Sequence, residues 1–110
     1  MKLIISAQNP SLEAQVDRRF GRCMWLVLFD TETNQWEAFQ NPGASQSGGA
    51  GVAAAQFIVD QKAEVVVSGD FGPNASRAFQ AAKIEMRRFT DSTTTVQEAV
   101  DHFIQDKLLK

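Results

Sequence analysis

Cysteine and histidine each occur once in this 110-residue chain, as Cys23 and His102. One cysteine cannot form a disulfide within the chain, and alone it cannot build a closed zinc or iron–sulfur site. One histidine leaves a Ser-His-Asp triad with a single candidate base. No apolar run approaches the roughly 18 residues of a membrane span, and the start of the chain is too short in apolar residues for a signal peptide. We therefore expect a cytoplasmic protein whose thiol stays reduced.

Excess positive charge is also missing, since the formal net charge is −2 and the pI is about 5.3. This balance argues against nucleic acid and polybasic membrane binding, so neither is expected as a partner. Hydrophobic residues make up 44% of the chain, which is enough for a packed core. The length predicts one domain, residues 1–110.

Apolar runs predict five strands, at residues 3–5, 24–29, 35–40, 65–67 and 84–89. A first helix is expected over 51–61, with Val52, Ala55 and Val59 on its apolar face. A second opens near Pro73, and a third follows the capping box Thr95–Glu98. The order β-β-β-α-β-α-β-α predicts an α/β fold with a five-stranded mixed sheet and three helices.

The predicted order places several loops at one edge of the sheet. Crossover helices make the last two strands parallel to the first. The loops 8–23, 41–50, 69–73 and 90–94 then leave the same edge, together with the N-termini of all three helices. Open α/β sheets bind ligands at this edge, so we look for a site there.

An arginine-rich segment lies in the first of these loops. It consists of Arg18, Arg19, Phe20, Gly21, Arg22 and Cys23. Three guanidiniums in five residues favour an anion or carboxylates close by, and Gly21 allows the backbone to approach a ligand closely. The alternative is a solvated loop whose arginines pair with Asp17 and Glu13.

Two glycine-rich segments follow. Gly69 and Gly72 flank a helix start, where free N–H groups and the helix dipole attract anions. Gly48, Gly49 and Gly51 precede the first helix. The pattern Gly49-x-Gly51-x-x-Ala54, with Asp70 downstream, only partly matches a dinucleotide fingerprint, because a long polar loop separates it from the preceding strand. A flexible loop entering a tightly packed helix explains it equally well.

Cys23 has two interpretations, a thiolate metal ligand or a small apolar side chain at the start of a strand. His102 is expected to be exposed on the last helix, far from the arginines. The chain has no P-loop lysine motif, no metal-binding pattern of histidines or paired cysteines, and no carboxylate on the first strand. We therefore expect a protein that is not an enzyme.

Several motifs follow one another along nearly the whole chain. They are Asp17 with Phe20-Gly21-Arg22, an apolar strand ending in Asp30, Asn41, the stretch 48–51, Gly69-x-x-Gly72-Pro73-x-Ala75 and Thr95-Val96-x-Glu98-Ala99. In this order they resemble the dinitrogenase iron–molybdenum cofactor biosynthesis family, which is linked to nitrogen fixation. The resemblance implies a ribonuclease H-like fold and a small carrier of metal–sulfur clusters. Cofactor-assembly proteins are the partners it implies.

One position departs from the family pattern. Some cofactor-binding relatives have histidine immediately before the Phe-Gly pair, where this chain has Arg19. A guanidinium does not normally coordinate a metal. The resemblance then implies an anionic cluster containing iron or molybdenum, held by charge and backbone N–H groups, with Cys23 as the one candidate thiolate ligand.

The leading hypothesis is thus a carrier or binding protein for an anionic metal–sulfur cluster, which can be isolated without its cargo. A second hypothesis is a protein or sensor that binds a nucleotide or phosphorylated metabolite through the same loops. A third is a regulatory interaction module that pairs through an edge strand, Gln35–Gln40 or Ile84–Phe89.

Overall fold

The chain begins with three consecutive strands, after which helices and strands alternate. The computed structural model describes residues 1–44, 49–89 and 94–108. The strands are β1 (Lys2–Ala7), β2 (Trp25–Asp30), β3 (Trp36–Gln40), β4 (Val65–Ser68) and β5 (Glu85–Arg88). The helices are α1 (Ala50–Asp60), α2 (Gly72–Ala82) and α3 (Val96–Leu108). None of the described helices is long and apolar enough to cross a membrane.

The strands form one mixed sheet in the order β3-β2-β1-β4-β5. β1 pairs antiparallel with β2 and parallel with β4, and β4 pairs parallel with β5. Trp25 lies opposite both Ala7 and Gln40, so β1 and β3 end at the same edge as β4. We call this edge, where β1, β3, β4 and β5 end, the upper edge. The predicted α/β fold with a five-stranded mixed sheet and three helices is confirmed.

Two hydrophobic layers cover the sheet because successive strand residues point to opposite faces. Leu3 and Ile5 of β1 belong to the layer beneath α3, whereas Ile4 belongs to the layer beneath α1 and α2. All three side chains are fully buried. β1 is thus buried on both faces, as its apolar run predicts, and it lies in the middle of the five strands.

The apolar face of α1 differs in part from the predicted one. Ala55 is buried as predicted and Val59 is partly buried against the core, but Val52 is 51% exposed, and Ala50, Ala54 and Ile58 complete the buried face. In an alanine-rich helix two stripes have similar hydrophobicity, so periodicity does not separate them. Close packing against α2, where Gly51 lies next to Ala75, orients the helix with Val52 towards solvent, and the expectation for Val52 was wrong.

The two edge strands, β5 and β3, differ in how they are protected from pairing with another chain. Arg87 of β5 forms ion pairs with Glu85 and with Asp106 of α3, and charges of this kind protect an edge from pairing with another chain. β3 is more exposed, as expected, and its Trp36 is 43% exposed.

Candidate functional site at the upper edge

Residues 17–23, the arginine loop, are fixed to the upper edge by backbone hydrogen bonds. The Asp17 N–H donates to the carbonyl of Ser6 at 2.9 Å, and the Phe20 N–H donates to the carbonyl of Asp70 at 3.0 Å. Arg19 and Asp70 form an isolated parallel bridge beyond the end of β4. The loop therefore extends the sheet past its last strand residues.

Two buried serines strengthen this attachment. Ser6 and Ser68 stand near the ends of the neighbouring parallel strands β1 and β4, with their hydroxyl oxygens 2.7 Å apart. Ser6 Oγ lies 2.6 Å, and Ser68 Oγ 3.2 Å, from the Asp17 carbonyl oxygen. The serines satisfy a buried carbonyl at the point where the arginine loop begins.

Gly69 allows the arginine loop to approach the end of β4. A Cβ atom at this position would lie 2.7 Å from Cα of Arg18 and 2.9 Å from its carbonyl oxygen. Real Cβ atoms do not approach backbone atoms so closely, so any side chain here would push the loop away. Gly69 thus has a packing role that its sequence context does not distinguish from ligand binding.

Asn41 holds the other end of the arginine loop. Its buried side-chain amide donates to the carbonyl of Cys23 at 2.9 Å and to that of Gly21 at 3.3 Å. Its Oδ1 accepts the Gly43 N–H at 2.9 Å. Asn41 therefore joins the arginine loop to the segment that leads towards α1. It was one of the resemblance motifs, but its residue type alone did not mark it as part of the site.

A cavity of about 300 Å³ opens between the arginine loop and the first turns of α1 and α2. Its lining includes these residues predicted for the site: Arg19, Phe20, Gly21, Arg22, Gly49, Gly51 and Gly72. Asp70, Phe71, Pro73, Asn74, Ala50 and Ala75 complete it. Of the remaining predicted residues, Arg18, Cys23 and Gly69 do not line this cavity, and Gly48 lies outside the described residues.

The helix starts supply backbone N–H groups to the cavity. Gly49, the residue before α1, and Gly72, the first residue of α2, both have φ of +72°, a conformation that glycine adopts with little strain. The first turns of α1 and α2 contain no acidic residue. The positive ends of these two described helices are therefore not neutralised from within the helix.

The charges around the cavity have both signs. Arg19 and Arg22 are exposed at its rim. Arg19 Nε lies 3.7 Å from Asp17 Oδ1, an exposed guanidinium against a largely buried carboxylate. That pair matches the alternative of a solvated loop for Arg19, and it leaves most of this guanidinium in contact with solvent.

Arg18 lines a second concavity, of about 630 Å³, on the other side of the Arg19–Asp70 bridge. Gln8, Asp17 and Met24 also line it, and Arg19 and Asp70 belong to both concavities. The three arginines expected to act together are thus divided. Arg22 faces the first cavity, Arg18 the second, and Arg19 stands between them.

Cys23 packs as a small apolar side chain. It is fully buried, and its thiol donates to the carbonyl of Phe20 at 3.2 Å. Burial, assisted by the negative charge of Asp17, raises the pKa of Cys23 to about 12. In this conformation the thiol stays protonated at neutral pH. Its role as a metal ligand stays a prediction, which requires the thiol to leave the core and lose its proton.

His102 is exposed, as expected, on α3, which packs on the opposite face of the sheet from α1 and α2. It lines a cavity of about 490 Å³ between β5 and α3, together with Arg87 and Arg88. This cavity contains none of the predicted site residues, and Arg87 is already neutralised by Asp106 and Glu85.

Within residues 1–44, 49–89 and 94–108, no three His, Cys, Asp or Glu side chains are grouped to hold a metal ion.

The chain matches one protein-family model. The model described as "Dinitrogenase iron-molybdenum cofactor" matches residues 1–106. Among curated proteins, an uncharacterised protein of Methanocaldococcus jannaschii is 24% identical over 113 residues, which span all of this chain and 91% of that protein.

Solved structures share the fold. The apo form of the orange protein from Desulfovibrio gigas superposes with a TM-score of 0.90 and 34% identity, covering 96% of this chain and 88% of that chain. The solution structure of a Thermotoga protein, described as a candidate NifB protein of the DUF35 family, gives a TM-score of 0.80 and 29% identity, covering 94% of this chain and 87% of that chain.

Proposed function

Since the chain belongs to the dinitrogenase iron–molybdenum cofactor family, we propose that it is a small binding or carrier protein for an anionic metal–sulfur cluster, and not an enzyme. The observation that supports this most is the cavity of about 300 Å³ at the upper edge. There Arg19 and Arg22 meet the N-termini of two helices. Guanidiniums and helix N-termini both favour negatively charged ligands.

The relatives support a binding role. The orange protein is described in its apo form, which names a state without ligand, and the Thermotoga relative is described as a candidate NifB protein. The role that we propose for this chain is the general one of holding a cofactor or its precursor. Cofactor-assembly proteins are the partners we propose, and the cytoplasm is the compartment. The ribonuclease H-like class is our assignment for the fold.

The cavity is better suited to an anion held by charge and hydrogen bonds than to a metal ion coordinated by side chains. Arg19 and Arg22 offer planar groups of N–H donors, and the first turns of α1 and α2 offer backbone N–H groups. The one thiol, Cys23, is buried and protonated. The sulfide and metal atoms of a cluster would come with the cargo, and this chain would contribute charge, hydrogen bonds and shape.

Binding of tetrathiomolybdate, a coloured anion of molybdenum and sulfide, tests the proposal. We expect the wild-type protein to retain this anion through desalting, with a visible absorption band and molybdenum in metal analysis. Arg19→Ala and Arg22→Ala should each weaken binding by about tenfold, because each removes a charged hydrogen-bond donor worth about 1.5 kcal/mol. The measurement is a titration followed by visible absorption.

Arg77→Ala is the matched control. Arg77 is exposed on α2 and does not line the cavity, so its removal changes the net charge by the same amount. Its effect should stay within about twofold. The proposal fails if the wild-type protein retains no anion, or if Arg77→Ala weakens binding as much as the two cavity variants do. Thermal stabilisation by a nucleotide but not by tetrathiomolybdate would favour a nucleotide-binding protein instead.

A further inference from the structure

Asp70 is the one acidic side chain among the described residues that line the cavity of about 300 Å³. It also lines the larger concavity beside Arg18, so its carboxylate stands on the ridge between the two. The exposed position means that solvent reaches the charge. A negative charge at the border of a site for an anion opposes the binding that the arginines favour.

The local structure holds Asp70 in this place without requiring its charge. Its backbone carbonyl accepts the Phe20 N–H at 3.0 Å, a bond that any residue could make. Its Oδ1 lies 3.4 Å from the N–H of Gly72, the first residue of α2. The neutral amide oxygen of asparagine can accept the same hydrogen bond. The negative charge is therefore separable from the turn.

A bound anion would need the same groups that Asp70 already faces. The N–H of Gly72 would be shared between the Asp70 carboxylate and the ligand, and both negative groups would lie along the lining of the same cavity. Because like charges repel, an anion that approaches or displaces this carboxylate loses part of its binding free energy. The affinity is thereby kept below what the arginines and helix N-termini would give.

We propose that Asp70 is a built-in competitor of the anionic ligand, which limits affinity so that the cargo can be released. This inference rests on the proposed function of the cavity. A carrier must give up its ligand as well as bind it, and a carboxylate at the border of the cavity shortens the lifetime of the complex. Asp70 thus lowers the affinity for the anion, whereas Arg19 and Arg22 raise it.

The test compares Asp70→Asn and Asp70→Ser with the wild-type protein, using tetrathiomolybdate and, separately, inorganic phosphate as probes. Both variants keep a short polar side chain at the turn and remove the charge. The control is Asp101→Asn on α3, where an exposed carboxylate accepts a hydrogen bond from Gln97. Titrations are run at low (about 0.01 M) and high (about 0.5 M) salt, and thermal unfolding checks that each variant is folded.

We expect both Asp70 variants to bind tetrathiomolybdate about five- to thirtyfold more tightly at low salt, with slower dissociation. The gain should shrink at high salt, and Asp101→Asn should change affinity by less than about twofold. If both Asp70 variants bind no more tightly than the wild-type protein, this inference is overturned and the proposed function stands. If both fail to fold, the charge serves the turn and the inference is equally wrong. If neither the wild-type protein nor any variant binds tetrathiomolybdate, the proposed function and this inference are both wrong.

Discussion

At the scale of single residues, Cys23 is the side chain whose surroundings most constrain its chemistry. It is the fully buried last residue of the arginine loop, and Asn41 donates to both its carbonyl and its sulfur. Burial is the main cause of its raised pKa, and the charge of Asp17 adds to it. A thiol that stays protonated neither attacks electrophiles nor binds metals readily. This makes Cys23 a sensitive reporter of whether the core opens.

The raised pKa of Cys23 predicts a loss of stability in alkali. In the unfolded chain the thiol ionises near its ordinary value of 9.0, whereas in the folded protein it ionises near 12. Its stabilising contribution is therefore complete below about pH 9 and is lost as the pH rises from about 9 towards 12, at up to about 1.4 kcal/mol per pH unit. Urea unfolding between about pH 8 and pH 10.5 measures this loss.

Cys23→Ala is the control for that experiment, because it removes the titrating thiol and leaves the other groups in place. The variant should be less stable than the wild-type protein near pH 8, since a buried group has been removed. The difference between the two proteins should then narrow as the pH rises. Parallel stability curves would mean that Cys23 has an ordinary pKa in the folded protein.

Single residues also show how far sequence reasoning reaches. Arg19, Arg22, Gly49 and Gly72 could be predicted to share one place, because charge, glycine content and strand order all pointed to one edge. Asn41 could not be identified as the residue that holds the loop, since its role depends on carbonyl groups 18 to 21 positions away in the sequence. Long-range hydrogen bonds of this kind leave no local pattern.

At the scale of the elements, the three helices begin differently. α3 has the predicted capping box, in which the Thr95 N–H donates to Glu98 Oε1 at 3.0 Å and the Glu98 N–H donates to Thr95 Oγ1 at 3.1 Å. The start of α1 has no side-chain cap, because the residue before it is Gly49. The first N–H groups of α3 are thus paired, that of Glu98 with the cap and those of Val96 and Gln97 with the segment that leads into the arginine loop, whereas no side chain caps the start of α1 at the cavity.

Thr95→Ala should lower the free energy of unfolding by about 1 kcal/mol, because it removes the hydroxyl that accepts the Glu98 N–H. Urea unfolding measures the change. Thr95→Ser, which keeps the hydroxyl, is the control and should lose much less. Binding of an anion at the cavity should be the same in both variants, since α3 lies on the other face of the sheet. A stability change below about 0.3 kcal/mol in Thr95→Ala would contradict the importance of this cap.

The apolar face of α1 marks the limit of prediction for an element. Existence and order of the helices follow from periodicity, caps and glycine positions, and those features are local. Which side of α1 is buried depends instead on its neighbours, because α1 packs closely against α2 and Gly51 lies against Ala75. Val52 was expected inside and lies outside for this reason.

At the scale of the whole molecule, segments far apart in the sequence pack closely against one another at the upper edge. Gly69 at the end of β4 touches Arg18, which precedes it by 51 positions. Gly69→Ala should lower the free energy of unfolding by about 1 to 3 kcal/mol, because the added Cβ would lie 2.7 Å from Cα of Arg18. Thermal or urea unfolding gives the change.

Gly51→Ala provides the matched comparison. A Cβ at this position would lie 3.7 Å from Cβ of Ala75, an ordinary contact, and alanine favours a helix by up to about 1 kcal/mol over glycine. This variant should be as stable as the wild-type protein or more stable. If Gly69→Ala is tolerated equally well, the arginine loop does not pack against β4 as described.

The fixed attachment of the segment that leads into the arginine loop has a consequence for rates. Val16 donates to the carbonyl of Thr94 at 2.9 Å, and Val96 and Gln97 donate back to Ala14 and Leu12 at the same distance. Together with the Asp70–Phe20 bond, these contacts make one wall of the cavity part of the frame of the sheet. This wall of the cavity is therefore already shaped before any ligand arrives. Diffusion and the field of the exposed arginines would govern how fast it arrives, so that encounter slows as salt screens that field.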